Sequence, residues 1–131
     1  MPVDLQWHAS LPILVSTYAG VLSAREYSAM CDQRLEWLES GPDQIILLAD
    51  TQELEAFTDS RTVKLRSSIL SHPKVRYSLI VLGEDFYRRL ARAFLDARHD
   101  YMVRLYPDLD RALDQGEALV AGFGKKSRRR K

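Results

Sequence analysis

Apolar and polar positions change period several times along the chain, and each change marks an element. Val3, Leu5 and Trp7 alternate with Asp4, Gln6 and His8, the period-two pattern of a strand with one buried face. Ala9 to Pro12 makes a short turn, and Ile13-Leu14-Val15-Ser16-Thr17-Tyr18 reads as a second strand. So short a connection favours an antiparallel hairpin at the edge of a sheet. Gly20 then punctuates the chain. Ser23-Ala24-Arg25-Glu26 is a capping box, in which the Ser hydroxyl accepts from a free helix N–H and the Glu carboxylate reaches back to the cap. Behind it Tyr27, Met30, Cys31, Leu35 and Leu38 recur at helical spacing and define an apolar face. Gly41-Pro42 stops this helix, the glycine by taking a positive φ and the proline by being unable to continue.

The run Ile45-Ile46-Leu47-Leu48-Ala49 shows no alternation and ends at Asp50-Thr51. Such a run suits a strand covered on both faces, in the middle of a parallel or mixed sheet. Asp59 or Ser60 caps a following helix, whose buried side is Val63, Leu65, Ile69 and Leu70 and which ends near His72-Pro73. Tyr77 to Leu82 predicts a further strand, closed by Gly83. Glu84 and Asp85 then favour a helix start, with Phe86, Leu90, Ala93, Phe94 and Ala97 as its apolar stripe. Met102-Val103-Arg104-Leu105 is a short last strand. Pro107-Asp108 opens a final helix, with Leu109, Ala112, Leu113, Leu119 and Val120 facing inward. The order is β-β-α-β-α-β-α-β-α, over residues 1–121, before a tail at 122–131.

Composition changes this picture in two places. A chain of 131 residues, 46% hydrophobic and 28% charged, is one ordinary globular domain. Its net charge of +1 conceals an asymmetry, since Lys125, Lys126, Arg128, Arg129, Arg130 and Lys131 gather at the end. Without those six, 13 of the 19 basic residues remain against 18 acidic ones, so the body carries about −5 and the tail about +6. A block of like charge with no apolar face is expected to be disordered. It would contact nucleic acid or anionic lipid weakly and without specificity, or act only as a solvated terminus. No apolar stretch reaches the roughly 18–20 residues that cross a bilayer. Met1-Pro2-Val3-Asp4 has neither the basic flank nor the apolar core of a secretory signal. Cys31 is the one cysteine, which excludes an intrachain disulfide and fits a reducing interior; the expected location is cytoplasmic.

The element order, the apolar strand ending in Asp50 before a hydroxyl residue, and the Asp59-Ser60 pair opening a helix together resemble the STAS domain of sulphate transporters and anti-sigma factor antagonists. The likeness runs over roughly residues 3 to 121, as pattern more than identity. It is nearest to the divergent proteins described as SpoIIAA-like. The resemblance implies an α/β fold with a mixed sheet and helices packed mainly on one side. It also implies a non-enzymatic regulatory or protein-interaction role with a protein partner of the kinase or sigma-regulator kind. The family motif runs Asp-Ser-Ser-Gly-Leu, with phosphate on the second Ser. Here Arg61 stands at that position and Thr62 at the glycine, so the usual acceptor is not matched.

Read from the residues, Asp50, Thr51, Asp59, Ser60, Arg61 and Thr62 should gather at one sheet end, where open α/β sheets place their working edge. Ser60 and Thr62 are candidate phosphoacceptors, and Asp50, Thr51, Asp59 and Arg61 a candidate partner or ligand surface. Asp59 and Ser60 would serve equally as helix caps, worth about 1 kcal/mol. Two other classes stay open: a nucleic-acid-associated protein using the basic tail, and a binder of a lipid or nucleotide near Asp50 and Asp59. Homodimerisation is also left open.

No cofactor or metal is expected. His8, His72 and His99 lack metal-ligand spacing with Cys31, and His99-Asp100 has no nucleophile beside it. Cys31 lies on an apolar helix face, as a small buried residue does. Gly122-Phe123-Gly124-Lys125 has neither the preceding strand nor the following helix of a phosphate loop. Arg88, Arg89, Arg92 and Arg98 are read as a solvated face, with Glu84 and Asp85 placed to pair with Arg88 and Arg89. Without a nucleophile–base pair, a metal set or a cofactor loop, the chain is not expected to be an enzyme.

Overall fold

Among the described residues, five strands form one mixed sheet in the order β1-β2-β3-β4-β5, the same order as along the chain. A computed structural model describes residues 3–57, 72–83 and 103–123. The strands are β1 (Val3–Trp7), β2 (Ile13–Leu22), β3 (Ile45–Phe57), β4 (Val75–Val81) and β5 (Val103–Tyr106). The described helices are α1 (Ala24–Ser40) and α2 (Leu109–Ala121). β1 and β2 form the expected antiparallel hairpin, while β2, β3, β4 and β5 are parallel neighbours. The helices expected after Asp59 and after Glu84 lie outside the described residues.

The hairpin turn is organised by His8, whose Nδ1 accepts from the backbone N–H groups of Ser10 and Leu11, both at 3.1 Å. The capping box is present as read. Ser23 Oγ accepts from Glu26 N at 3.1 Å, and Glu26 Oε1 accepts from Ser23 N at 2.9 Å. At the other end of α1, Gly41 adopts extended backbone (φ −92°) where a positive φ was expected. The reason for glycine here is proximity: a Cβ would lie 2.9 Å from the Trp7 ring and from the Trp37 carbonyl oxygen. The helix end is closed from outside by Lys74, whose Nζ donates to the carbonyls of Leu38, Glu39 and Gly41 at 3.0, 2.8 and 3.2 Å. A cation there also suits the negative end of the helix dipole.

β3 is the middle strand, as its apolar run demands. Ile45, Ile46 and Leu48 are fully buried and Leu47 nearly so. At roughly 1.5–3 kcal/mol for each side chain, these four residues contribute substantially to the stability of the sheet. Successive residues face opposite layers. Ile45 and Leu47 join Leu14, Val75 and Leu38 beneath α1. Ile46 and Leu48 join Ile13, Tyr77, Leu79, Val81, Ala112 and Phe123 beneath α2. The two described helices therefore take opposite faces of the sheet. The expected packing of helices mainly on one side turns on segments 58–71 and 84–102, outside the described residues.

Asp108 caps α2 through its carboxylate, which accepts from Arg111 N at 2.8 Å. Phe123, just beyond this helix and past the boundary drawn at 121, is buried in the core beneath the Arg76 guanidinium, 5.6 Å from its ring centre.

Candidate functional site

The carboxyl ends of β2, β3 and β4 point the same way, so the chemistry nominated by the sequence should collect there. Asp50 is the last β3 residue with neighbours on both sides, Thr17 of β2 and Val81 of β4. Its Oδ1 accepts from both the backbone N and the side-chain Nε2 of Gln52, each at 3.2 Å. Thr51 Oγ1 donates to the Val81 carbonyl at 2.7 Å, closing the end of β4. Asp50 and Thr51 are thus side by side at the intended sheet end, each engaged in local structure. Asp59, Ser60, Arg61 and Thr62 lie outside the described residues, as do Lys125, Lys126, Arg128, Arg129, Arg130 and Lys131.

β3 does not stop at Asp50-Thr51. It continues to Phe57 beside a β2 that runs on to Leu22, four residues past the expected end at Tyr18. Two register shifts, between Thr17 and Ala19 and between Gly20 and Val21, each insert an extra β3 residue. The first lies beside the Asp50–Gln52 bonds, which satisfy the polar groups freed by the irregularity. Gly20 sits inside β2 at φ +70°, a left-handed backbone that costs glycine least.

The outcome is a two-stranded ribbon reaching beyond β4. Thr17, Ala19, Val21, Gln52, Glu53, Glu55 and Ala56 are all exposed on it, Val21 at 55%. Asp50, Glu53 and Glu55 make it acidic, and residues 13–22 and 50–57 contain no Lys or Arg.

The layer between α1 and the same end of the sheet holds a second cluster, which the sequence reading did not find. Leu35, expected on the apolar face of α1, is 37% exposed, and Arg34 is buried in its place. Arg34 lies with Tyr18, Tyr27 and Cys31, the last being the small buried residue expected. Burial raises the Tyr18 phenol above its ordinary range, against the opposing pull of the Arg34 charge. Burial together with Cys31 and Tyr18 pushes Tyr27 up to about 12. Glu26, by contrast, is held low by the hydrogen bonds of the capping box at Ser23. The signal for Arg34 was its spacing: positions 27, 31, 34 and 38 fit one helix face as well as 27, 31, 35 and 38 do.

Among the described residues no group of three or more His, Cys, Asp or Glu could hold a metal ion. No described helix is long and apolar enough to cross a membrane. His8 and His72 use Nδ1 as an acceptor for nearby backbone N–H groups, the latter from Lys74 at 3.2 Å.

No family model matches the chain, and no curated protein matches it. Its fold is nevertheless similar to that of an uncharacterised protein of the DUF3478 family from Shewanella loihica PV-4, solved with a SpoIIAA-like fold. The likeness has a TM-score of 0.61 at 17% identity and covers 86% of this chain and 90% of that one. At that identity it concerns the fold alone: this chain has a SpoIIAA-like fold.

Proposed function

We propose that this SpoIIAA-like domain is a non-enzymatic interaction module, and that its β2–β3 ribbon docks a protein partner with a basic surface. The observation carrying the reading is the ribbon itself, which leaves strand surface exposed beyond the body of the sheet. An exposed Val21 supplies an apolar anchor, and Asp50, Glu53 and Glu55 supply a field that favours a cationic partner and repels phosphates. The same acidity disfavours nucleic acid at this end, so any nucleic-acid contact belongs to the basic tail.

Regulation by phosphate at Ser60 or Thr62 is a finer form of the proposal. Arg61 in the acceptor position counts against the usual register, while Arg61 and Lys64 offer charges that offset Asp59 beside a phosphate on Ser60. The experiment is cross-linking of the protein in its own cells, with wild type compared against Val21→Glu and Ser60→Asp. A partner cross-linked at the ribbon, lost in Val21→Glu, is the expected result. Identical partners for wild type and Val21→Glu would end the ribbon reading. Unchanged partners in Ser60→Asp, with peptides over 50–66 always unmodified, would reduce Ser60 to a helix cap.

A further inference from the structure

Arg34 is the one charged side chain fully in the buried class among the described residues, at 7% exposure. Its surroundings are Tyr18 at 4%, Tyr27 at 7% and Cys31 at 3% exposure, with Ser16 below them on β2. The Tyr18 hydroxyl lies close to Ser16 and to the Arg34 guanidinium, whose charge acts on it. Arg34 Nη2 donates to Cys31 Sγ at 3.8 Å, while Nε has no hydrogen-bond partner. No described carboxylate pairs with the guanidinium. Glu26 is committed to the helix cap, and Asp32 and Glu36 stand on the exposed side of α1. Buried charges are ordinarily paired or bound to something of opposite sign, since an unpaired one is strongly unfavourable.

We infer that Arg34, flanked by the Tyr18 and Tyr27 hydroxyls, is a binding site for a small oxyanion: the phosphate or carboxylate group of a small molecule. The guanidinium presents Nε–H and one Nη–H along a planar edge, the geometry that matches two oxygens of such a group. With Nη2 turned toward sulfur, the free Nε–H is the donor without an occupation. The phenols remain protonated at physiological pH because burial opposes their ionisation, so they add no negative charge of their own to offset the guanidinium. The anion supplies the missing negative charge beneath α1, on the sheet face where Tyr18, Ala49 and Leu54 meet the helix. This site uses the α1-facing side of the same two strands, at Tyr18, and not the exposed side that carries Val21, so it does not depend on the interaction reading.

The test uses the full chain titrated with inorganic phosphate or with acetate, at ionic strength held constant with chloride. Two readouts are followed: the thermal midpoint, and the Arg34 Nε–H resonance in nitrogen-15 NMR. A saturable rise in midpoint with a matching shift of the Arg34 resonance supports the site, and the more effective anion separates phosphate from carboxylate recognition. Arg34→Met should remove the response, and Arg34→Lys, which keeps charge without the planar edge, should weaken it by about tenfold or more. Because the resonance is read on the wild-type chain, the test survives any variant that fails to fold. An unmoved Arg34 resonance overturns the proposal, and so does an equal midpoint rise in Arg34→Met, which would place the bound anion elsewhere, such as on the basic tail.

Discussion

Gly116 fixes how closely α2 approaches the sheet, and the approach can be measured. A Cβ at this position would fall 2.9 Å from Ile13 Cδ1 and 3.6 Å from Leu79 Cδ1, both ends of fully buried side chains. Gly116→Ala gains about 1 kcal/mol of helix propensity. Against this, forcing a methyl into a filled core costs about 1–3 kcal/mol. The single substitution should therefore range from neutral to about 2 kcal/mol destabilising. Ile13→Val removes the very atom that obstructs and costs about 0.5–1.5 kcal/mol by itself. In the double variant the new methyl enters the space vacated by Cδ1 and the helix gain is realised. Its stability should return to within about 1 kcal/mol of wild type, a favourable coupling of about 1–3 kcal/mol. Equilibrium urea unfolding of the four proteins gives the cycle directly. Additivity within about 0.5 kcal/mol would refute the close approach. So would a plain stabilisation by Gly116→Ala, which requires open space above the sheet.

Leu47→Asp places an unpaired charge in the middle strand and should abolish cooperative unfolding; a soluble, cooperatively folding variant would remove β3 from the centre of the sheet. Lys74→Met strips two α1 carbonyls and that of the following Gly41 of their donor and should cost about 1–2 kcal/mol in urea unfolding. The Glu26 carboxyl is held low in the fold, so its stabilisation is complete above its unfolded pKa and fades as pH falls through the folded one. Glu26→Gln should flatten that part of an acid stability profile. Tyr27 stays protonated up to about 12, whereas the unfolded chain ionises it near 10. Stability should therefore fall between those values as pH rises, and Tyr27→Phe should reduce the slope.

Elements built on local signals could be read from the sequence. The alternation in β1, the Ser23–Glu26 box and the Asp108 cap each lie within a few residues, and each is present where expected. The extent of β3 was hidden because Asp50 and Thr51 look like a strand end. They remain in the strand because their polar groups are met by Gln52 and by the Val81 carbonyl, a partner 30 residues away. Arg34 was hidden for a similar reason. Its charge suggests solvent and Leu35 suggests the core, yet tertiary neighbours on β2 decide the helix phase and invert both. At the candidate site, Asp50 and Thr51 lie level with the carboxyl end of β4 but inside β3, not past its end. The ribbon beyond them depends on bulges in β3, which no periodic pattern announces.

Recognition of a partner by the acidic ribbon is tested by site-specific cross-linking in the native cells from a photoreactive residue at position 19, on the exposed ribbon, compared with one at Asp43, exposed before β3. The account predicts an adduct with a basic protein from position 19 alone, abolished by Val21→Glu and weakened by added salt. Adducts of equal yield and identity from both positions, or an adduct from position 19 that survives Val21→Glu, would contradict it.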